Sequence, residues 1–484
     1  MIGGTIRKLR DDARSAAVSP DGSRILFLAK HPTEIMVMHA DGEGAHTIVP
    51  GVKGDGLMSP NWSPDGQRIV FVRIHQTGQD PEFTLEGRDA NGGNPVVVLA
   101  NSDVRDFCWL LGNRLVYSAQ EASPHRDDMN LWELRLDPKT GAPRSKPRKL
   151  TDWSGFIFWK LSATSDGKRL AFVNDRDQSD VYVGELDKNG TQMKTPVRLT
   201  LSEKNDWPGG WMPDSKTMLF YSNRNGSFDL YRQKVTERSA EAMGTAPEEK
   251  RTPQMSPDGA WIVYFSWPRM PNEAQPSSGH LMRMPVAGGP PEPLFEVQGY
   301  ASWGWPGDIQ RNIGDVPGFR CPSSRKGSCV LVEGDAEKKH LVFTPFDPAQ
   351  GKKGQPTRVE FPDEPAWALS PDGSRVAVTW FDTQAATIRI VPLGGGTARD
   401  LSVKGVTELI GVTWAADGKS LFAVRNSSKG ALLLHVNLNG ESQVLYRAAW
   451  DVGQPAASPD GRYLAYGAVN SNSNVWTIPN LPEP

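Results

Sequence analysis

The residues in this chain best suited to chemistry are carboxylates written next to indoles: Asp152 with Trp153, Asp206 with Trp207, and Asp451 with Trp450. A carboxylate beside a flat ring offers a cation both a charge and a π face. Asp106, Asp363 and Trp367 stand at comparable places between apolar runs. If the fold gathers these positions, their like charge focuses a negative potential that attracts a cation or a basic peptide. Calcium, which takes oxygen ligands, is the metal such a ring would hold; no other cofactor is indicated. Cys321 and Cys329 flank the string PSSRKGS. At the neck of a hairpin they would lie within bridging distance, so they are either a disulfide or a reduced pair.

Three catalytic patterns are incomplete. A hydrolase elbow needs Gly-x-Ser-x-Gly, and the nearest string, Tyr300-Ala301-Ser302-Trp303-Gly304, lacks the first glycine. His125-Arg126-Asp127 mimics a kinase catalytic loop, but Trp132 stands where the asparagine belongs. The eight histidines include no His-x-x-x-His pair of the kind that grips zinc. His31, His75, His125, His280 and His340 nevertheless fall in or beside equivalent connections. Converging His, Asp and Arg side chains there would make an enzyme, a lyase or a hydrolase, the alternative to a binding module.

What must position these groups is a repeat. Ser19-Pro20-Asp21-Gly22 returns as Ser63-Pro64-Asp65-Gly66, Ser256-Pro257-Asp258-Gly259, Ser370-Pro371-Asp372-Gly373 and Ser458-Pro459-Asp460-Gly461. Looser copies occur at 164–167, 212–215 and 415–418, and degenerate ones at 107–119 and 319–335. The mean spacing of about 49 residues matches a four-stranded propeller blade. Pro and Asp-Gly make a tight turn, with glycine taking a positive φ. A continuous apolar strand follows, such as Ile69-Val70-Phe71-Val72, which must be buried on both faces. Such sheets stack on their neighbours, and radial closure leaves few open edges. The expectation is an all-β propeller of about ten four-stranded blades. Its last unit stops after three strands, and residues 5–9 read as a fourth. Pairing of 5–9 with 475–478 would then close one ring over residues 1–484; two smaller propellers are the alternative.

The 484 residues carry a net charge of −2, unlike the basic face of a nucleic-acid binder. No run of 18 apolar residues is present to span a membrane, and the start MIGGTIRKLRDDARS shows no apolar signal segment. The chain is then cytoplasmic, or extracytoplasmic as part of a longer membrane-anchored protein.

Residues 214–231, DSKTMLFYSNRNGSFDLY, resemble the strand, N-R-x-G loop and D-[LI]-Y strand of TolB-type (PD40, WD40-like) β-propellers. The strings LTDWSGFIF, SDVYVGELDKNG, LTLSEKNDWP and NSNVWTIPNL are similar to propeller regions attached to bacterial Ser/Thr kinases or winged-helix regulators. The resemblance implies a monomeric sensor or protein-interaction module. The uniform SPDG face reads as structural, and the opposite, variable loop face as the place where a protein or peptide, basic in keeping with the carboxylates, is bound.

Overall fold

The computed structural model describes residues 7–29, 33–53, 55–77, 80–100, 104–121, 129–153, 157–164, 166–244, 248–268, 278–298, 318–325, 327–334, 340–360, 365–427, 430–479 and 481. The fold is all-β: antiparallel sheets, mostly four-stranded, follow one another along the chain.

The turn explains the local order. In the first copy, Ser19 N–H donates to Arg24 O and Gly22 N–H to Ser19 O. Ser19 Oγ donates to Asp21 and accepts from Arg24 N–H. Hydrogen bonds from Ser19 and Ser23 hold the Asp21 carboxyl down to about 2. Gly22 has a φ of 74°, and Ser215 takes the same left-handed conformation where the glycine is replaced. The strand after each turn is the core of its sheet: Leu26, Phe27 and Leu28 are buried, and so is every residue of Thr217–Ser222.

Adjacent sheets are joined by a repeated staple. Arg24, just past one turn, lies over the Trp62 ring of the next sheet at 4.6 Å, and its Nη2 donates to Gly66 O. Arg375 repeats this on Trp414 at 4.6 Å and on Gly418 O. Trp62 Nε1 in turn donates back to Ala17 O of the preceding sheet. Each such cation–π contact contributes about 0.5–1 kcal/mol where it is solvated, so many are needed.

The chain divides into two compact units, Met1–Arg176 with Pro271–Ala274 and Asn472–Pro484, and Asp177–Met270 with Gln275–Ser471. Two 16-residue strands, Leu170–Glu185 and Tyr463–Ile478, pair with each other and contribute to both units. Leu481 N–H donates to Lys168 O at one end of this ribbon, and Leu186 N–H to Arg462 O at the other. In the first unit, sheets 13–49, 55–99 and 104–149 pack in succession, and Phe158, Phe172, Ile478 and Leu481 cover the third.

Among the described residues, the second unit holds six sheets. Five are continuous in sequence: 206–242, 249–298, 318–360, 365–402 and 409–448. The sixth combines 180–185 and Val197–Arg198 with Asp451–Val452, Ala456–Ala457 and 463–469. Apolar clusters join 249–298 to 318–360, then 318–360 to 365–402, then 365–402 to 409–448. The sixth sheet packs on 409–448 through Leu464 and Tyr466, and on 206–242 through Val181, Trp211 and Ala465. Trp211 Nε1 donates to Ala456 O at 2.9 Å, the bond Trp62 makes to Ala17.

The strand at 475–478 thus has Leu170–Glu185 as its partner, where pairing with residues 5–9 was expected. Residues 7–9 form no strand, and Leu9 packs on Phe27, Met36 and Met38; Thr5 and Ile6 lie outside the described residues. The 16-residue strand Leu170–Glu185 supplies that partner from mid-chain.

Tyr466 is buried and stacks on Tyr182 at 5.9 Å between the sixth sheet's strands. Tyr466→Ala is expected to cost about 3–5 kcal/mol, the range for deleting a buried ring. Val197→Ala, at an exposed site of the same sheet, should stay within about 0.5 kcal/mol. Urea unfolding of both variants measures the difference.

Candidate ligand-binding channel

The first strands of the six sheets in the second unit are rich in small residues and proline: DWPGGW, PAWAL and LIGVTW among them. Small residues let backbones converge. A Cβ on Gly209 would meet Pro253 O at 2.4 Å, and one on Gly467 would meet the Trp207 ring at 2.9 Å. β-Bulges recur on these strands, between Pro208 and Gly210, Arg251 and Gln254, and Leu409 and Gly411. Thr252 sits in one of them at a φ of 53°, and such bulges re-aim side chains.

Together these strands enclose a cavity of about 1030 Å³. It extends from strand starts, at Trp207, Leu409 and Asp451, to the turns at the other end. The turn end is rimmed by Pro213, Pro257, Pro322, Pro371 and Pro459. Gln454 crosses between sheets, its Nε2 donating to Trp367 O at 2.7 Å and Val412 O at 3.1 Å. Gln254 accepts from Cys321 N–H at 2.8 Å. Arg320 enters the wall with its guanidinium carbon 5.6 Å from the Trp367 ring, and burial pulls its pKa down to about 10, so it remains charged at neutral pH. Burial pushes the Tyr221 hydroxyl up to about 12. Cys321 lines the cavity and is disulfide-bonded to Cys329, with a Cα–Cα distance of 4.1 Å.

The acid–indole pairs singled out in sequence are divided between the two units. Trp207, Trp367 and Asp451 line the cavity. Burial raises the Asp451 carboxyl above its ordinary value. Asp206 is fully buried and committed to Arg224 at 2.9 Å and Ser202 at 2.7 Å. Trp450 is part-exposed, 6.4 Å from Tyr182. Asp106, Asp152 and Trp153 belong to the first unit. There Asp106 accepts from Leu161 and Phe107 N–H, Asp152 pairs with Lys149 at 2.8 Å, and Trp153 packs on Phe158. Asp363 lies outside the described residues, as do His31, His125-Arg126-Asp127 and Ser302. Among the described residues no group of three or more His, Cys, Asp and Glu could hold a metal ion. The proline rim and Arg320 were missed. The prolines belong to turns whose role in folding was evident, and Arg320 lies in the most degenerate repeat.

Every clear copy of the SPDG turn in the described structure joins the first strand of a sheet to its buried second strand. The repeat resembles that of TolB-type β-propellers, and the fold is that of an all-β, repeated-sheet propeller. No family model matches the chain. A stretch of 171 residues is 28% identical to the uncharacterized protein Atu1656 of Agrobacterium fabrum, covering 34% of this chain and 54% of that protein. Among solved structures, the tricorn protease aligns over 96% of this chain and 43% of its own, at 13% identity and a TM-score of 0.28. A putative TolB from Agrobacterium tumefaciens aligns over 59% of this chain and 81% of its own, at 16% identity and a TM-score of 0.20. A chain of the nidogen/laminin complex covers 59% of this chain and 96% of its own, at 10% identity and a TM-score of 0.38. The chain thus spans about half of the curated relative and less than half of the tricorn protease, and scores this low carry no argument about what it binds. No helix among the described residues is long and apolar enough to cross a membrane.

Beside the buried Asp206 lies Asp180, paired with Arg198 at 2.7 Å. Burial, reinforced by the Asp206 charge against the pull of Arg198, raises the Asp180 carboxyl to about 6. An unfolded aspartate titrates near ~4, so folding favours the protonated form. The charged form therefore costs stability at neutral pH, and that cost fades as pH falls through 6 towards ~4. Relative to Asp180→Asn, the native chain should gain melting temperature between pH 7 and 5. An NMR titration of the Asp180 carboxyl should give a midpoint near 6; a midpoint at or below ~4 contradicts the assignment.

Proposed function

We propose that the second unit is a closed six-bladed propeller that acts as a non-catalytic interaction module, taking an extended peptide segment of a protein partner into its channel. The observation that carries this is the cavity itself: it is long, walled by indoles and prolines, and crossed by a few fixed polar groups. Largely apolar clefts with sparse, placed polar groups are how proteins bind organic ligands. Proline and tryptophan surfaces suit an extended chain, which presents side chains and amides alternately. The ligand enters between Trp207, Phe381 and Asp451, on the variable loop face.

Two of the serines that line the channel and its cysteine are committed to the scaffold. Ser256 and Ser458 bond Asp258 and Asp460 within their turns, and Cys321 is in its disulfide. These commitments favour binding over hydrolysis.

The test uses a pool of random-sequence hexapeptides passed over the immobilised full chain, with retained peptides quantified by mass spectrometry. Thr413 lines the channel and is half-buried. Thr413→Trp should plug the channel, leave the melting temperature near that of the native chain, and cut retention at least ~10-fold, the loss of one well-made anchor contact. Retention undiminished by the plug, or peptides recovered cleaved, would overturn the proposal.

A further inference from the structure

The channel wall carries polar groups that the fold does not use, and Gln254 is the clearest of them. It ends the bulge that begins at Arg251, on the first strand of sheet 249–298, and its side chain lines the channel at 7% exposure. Its Oε1 accepts from Cys321 N–H at 2.8 Å. A backbone N–H can only donate, so the carboxamide atom facing Cys321 must be the oxygen and not the nitrogen. Nε2 then carries two donors, and among the described residues nothing accepts from it. The strand beneath is pinned to the neighbouring sheet: a Cβ on Gly209 would meet Pro253 O at 2.4 Å, and one on Gly210 would touch Gln254 Cγ at 3.5 Å. Elsewhere in the wall, among the described residues, the buried atoms without a partner are Thr252 Oγ1, Trp367 Nε1, Trp414 Nε1 and Gln454 Oε1. Trp62 and Trp211 give the same indole N–H to Ala17 O and Ala456 O; Trp414, at the equivalent place before its turn, does not.

We infer that Gln254 is a specificity-determining residue that reads a carboxamide of the ligand, its Nε2 donating to the amide carbonyl. This rests on the channel being the binding site and names the chemistry recognised there. The unclaimed atoms of the wall are uncharged, and they include donors, from Gln254 and two indoles, as well as an acceptor, Gln454 Oε1. A carboxylate offers only acceptors and an ammonium only donors, whereas a carboxamide offers both. Every peptide bond carries one, and so do Asn and Gln side chains. Gln254 is preset for the task. Cys321 N–H holds one end of its carboxamide and the bulged strand holds the other, so little side-chain freedom is left to lose on binding. The disulfide to Cys329 fixes the hairpin neck that supplies the Cys321 N–H and acts as a positioning element. In the apolar surroundings of the wall a neutral hydrogen bond is stronger than in water, and a buried donor left unpaired is costly, so the free NH2 favours an occupied channel.

Three hexapeptide pools with the same free termini separate the possibilities on the immobilised full chain: amide backbones without Asn and Gln; amide backbones with Asn and Gln; ester backbones without Asn and Gln. An amide-bearing pool should be retained roughly 3–10-fold over the ester pool, as one neutral hydrogen bond provides. Equal retention of the first two pools identifies the main chain as the source, and an excess confined to the second identifies an Asn or Gln side chain. Gln254→Glu keeps the shape and the acceptor for Cys321 N–H but puts an oxygen where the NH2 stood, and should abolish the preference. On the unmodified chain, the Gln254 side-chain NH2 signal in an NMR spectrum of glutamine-labelled protein should move downfield with the retained amide pool and stay in place with the ester pool, which keeps the test independent of any variant's folding. Equal retention of all three pools, a preference that survives Gln254→Glu, or an NH2 signal that ignores a retained amide pool overturns the carboxamide reading alone. Retention of no pool overturns it together with the channel.

Discussion

The second unit depends on one joint between residues far apart in sequence. Trp211 donates its indole N–H to Ala456 O across 245 positions. In the first unit the equivalent bond, from Trp62 to Ala17, crosses 45. The contact is the same, so residues 451–457 occupy the place of a preceding sheet's first strand. Strand 180–185 then completes that sheet from the other end of the unit's sequence. Without the joint, sheets 206–242 and 409–448 would each present an uncovered apolar face, and Trp211, Tyr466 and Leu464 would lose their burial.

Channel geometry follows from it. Six first strands can converge only where glycine and proline keep backbones close, and the bulges at Pro208–Gly210 and Arg251–Gln254 turn side chains that a regular ladder would aim elsewhere. Gln454, on the closing sheet, holds Trp367 and Val412 carbonyls from two other sheets. A joint that spans most of the unit's sequence carries a large loop-closure entropy, and folds built on such contacts form slowly. The many local turns and Arg–Trp staples supply stability that does not wait for closure.

Most sheets were legible in sequence because they are written locally: a turn of the Ser-Pro-Asp-Gly kind and a doubly buried strand after it, with a tryptophan just before the turn at Trp62, Trp211 and Trp414. Closure was not. Leu170–Glu185 and Tyr463–Ile478 each look like two ordinary strands run together, and nothing local marks them as partners. The candidate site was half legible. Trp207, Trp367 and Asp451 do line the channel, because first-strand position is a repeat property. Asp152 and Asp206 do not act as free charges, because Lys149 and Arg224 come from neighbouring positions whose geometry only the fold reveals. Arg320 was hidden for the opposite reason: it belongs to the copy whose divergence from the repeat is itself the signal.

Closure of the six sheets is tested most directly by hydrogen exchange at a single proton, the indole N–H of Trp211, followed by NMR on tryptophan-labelled protein. If the C-terminal segment completes the ring, this proton is protected about as strongly as the core amides of Thr217–Ser222 and exchanges only when the whole unit opens. Exchange at the rate of a solvent-exposed indole, with the Thr217–Ser222 amides still protected, would show that residues 451–457 do not hold sheet 206–242 and would contradict the account.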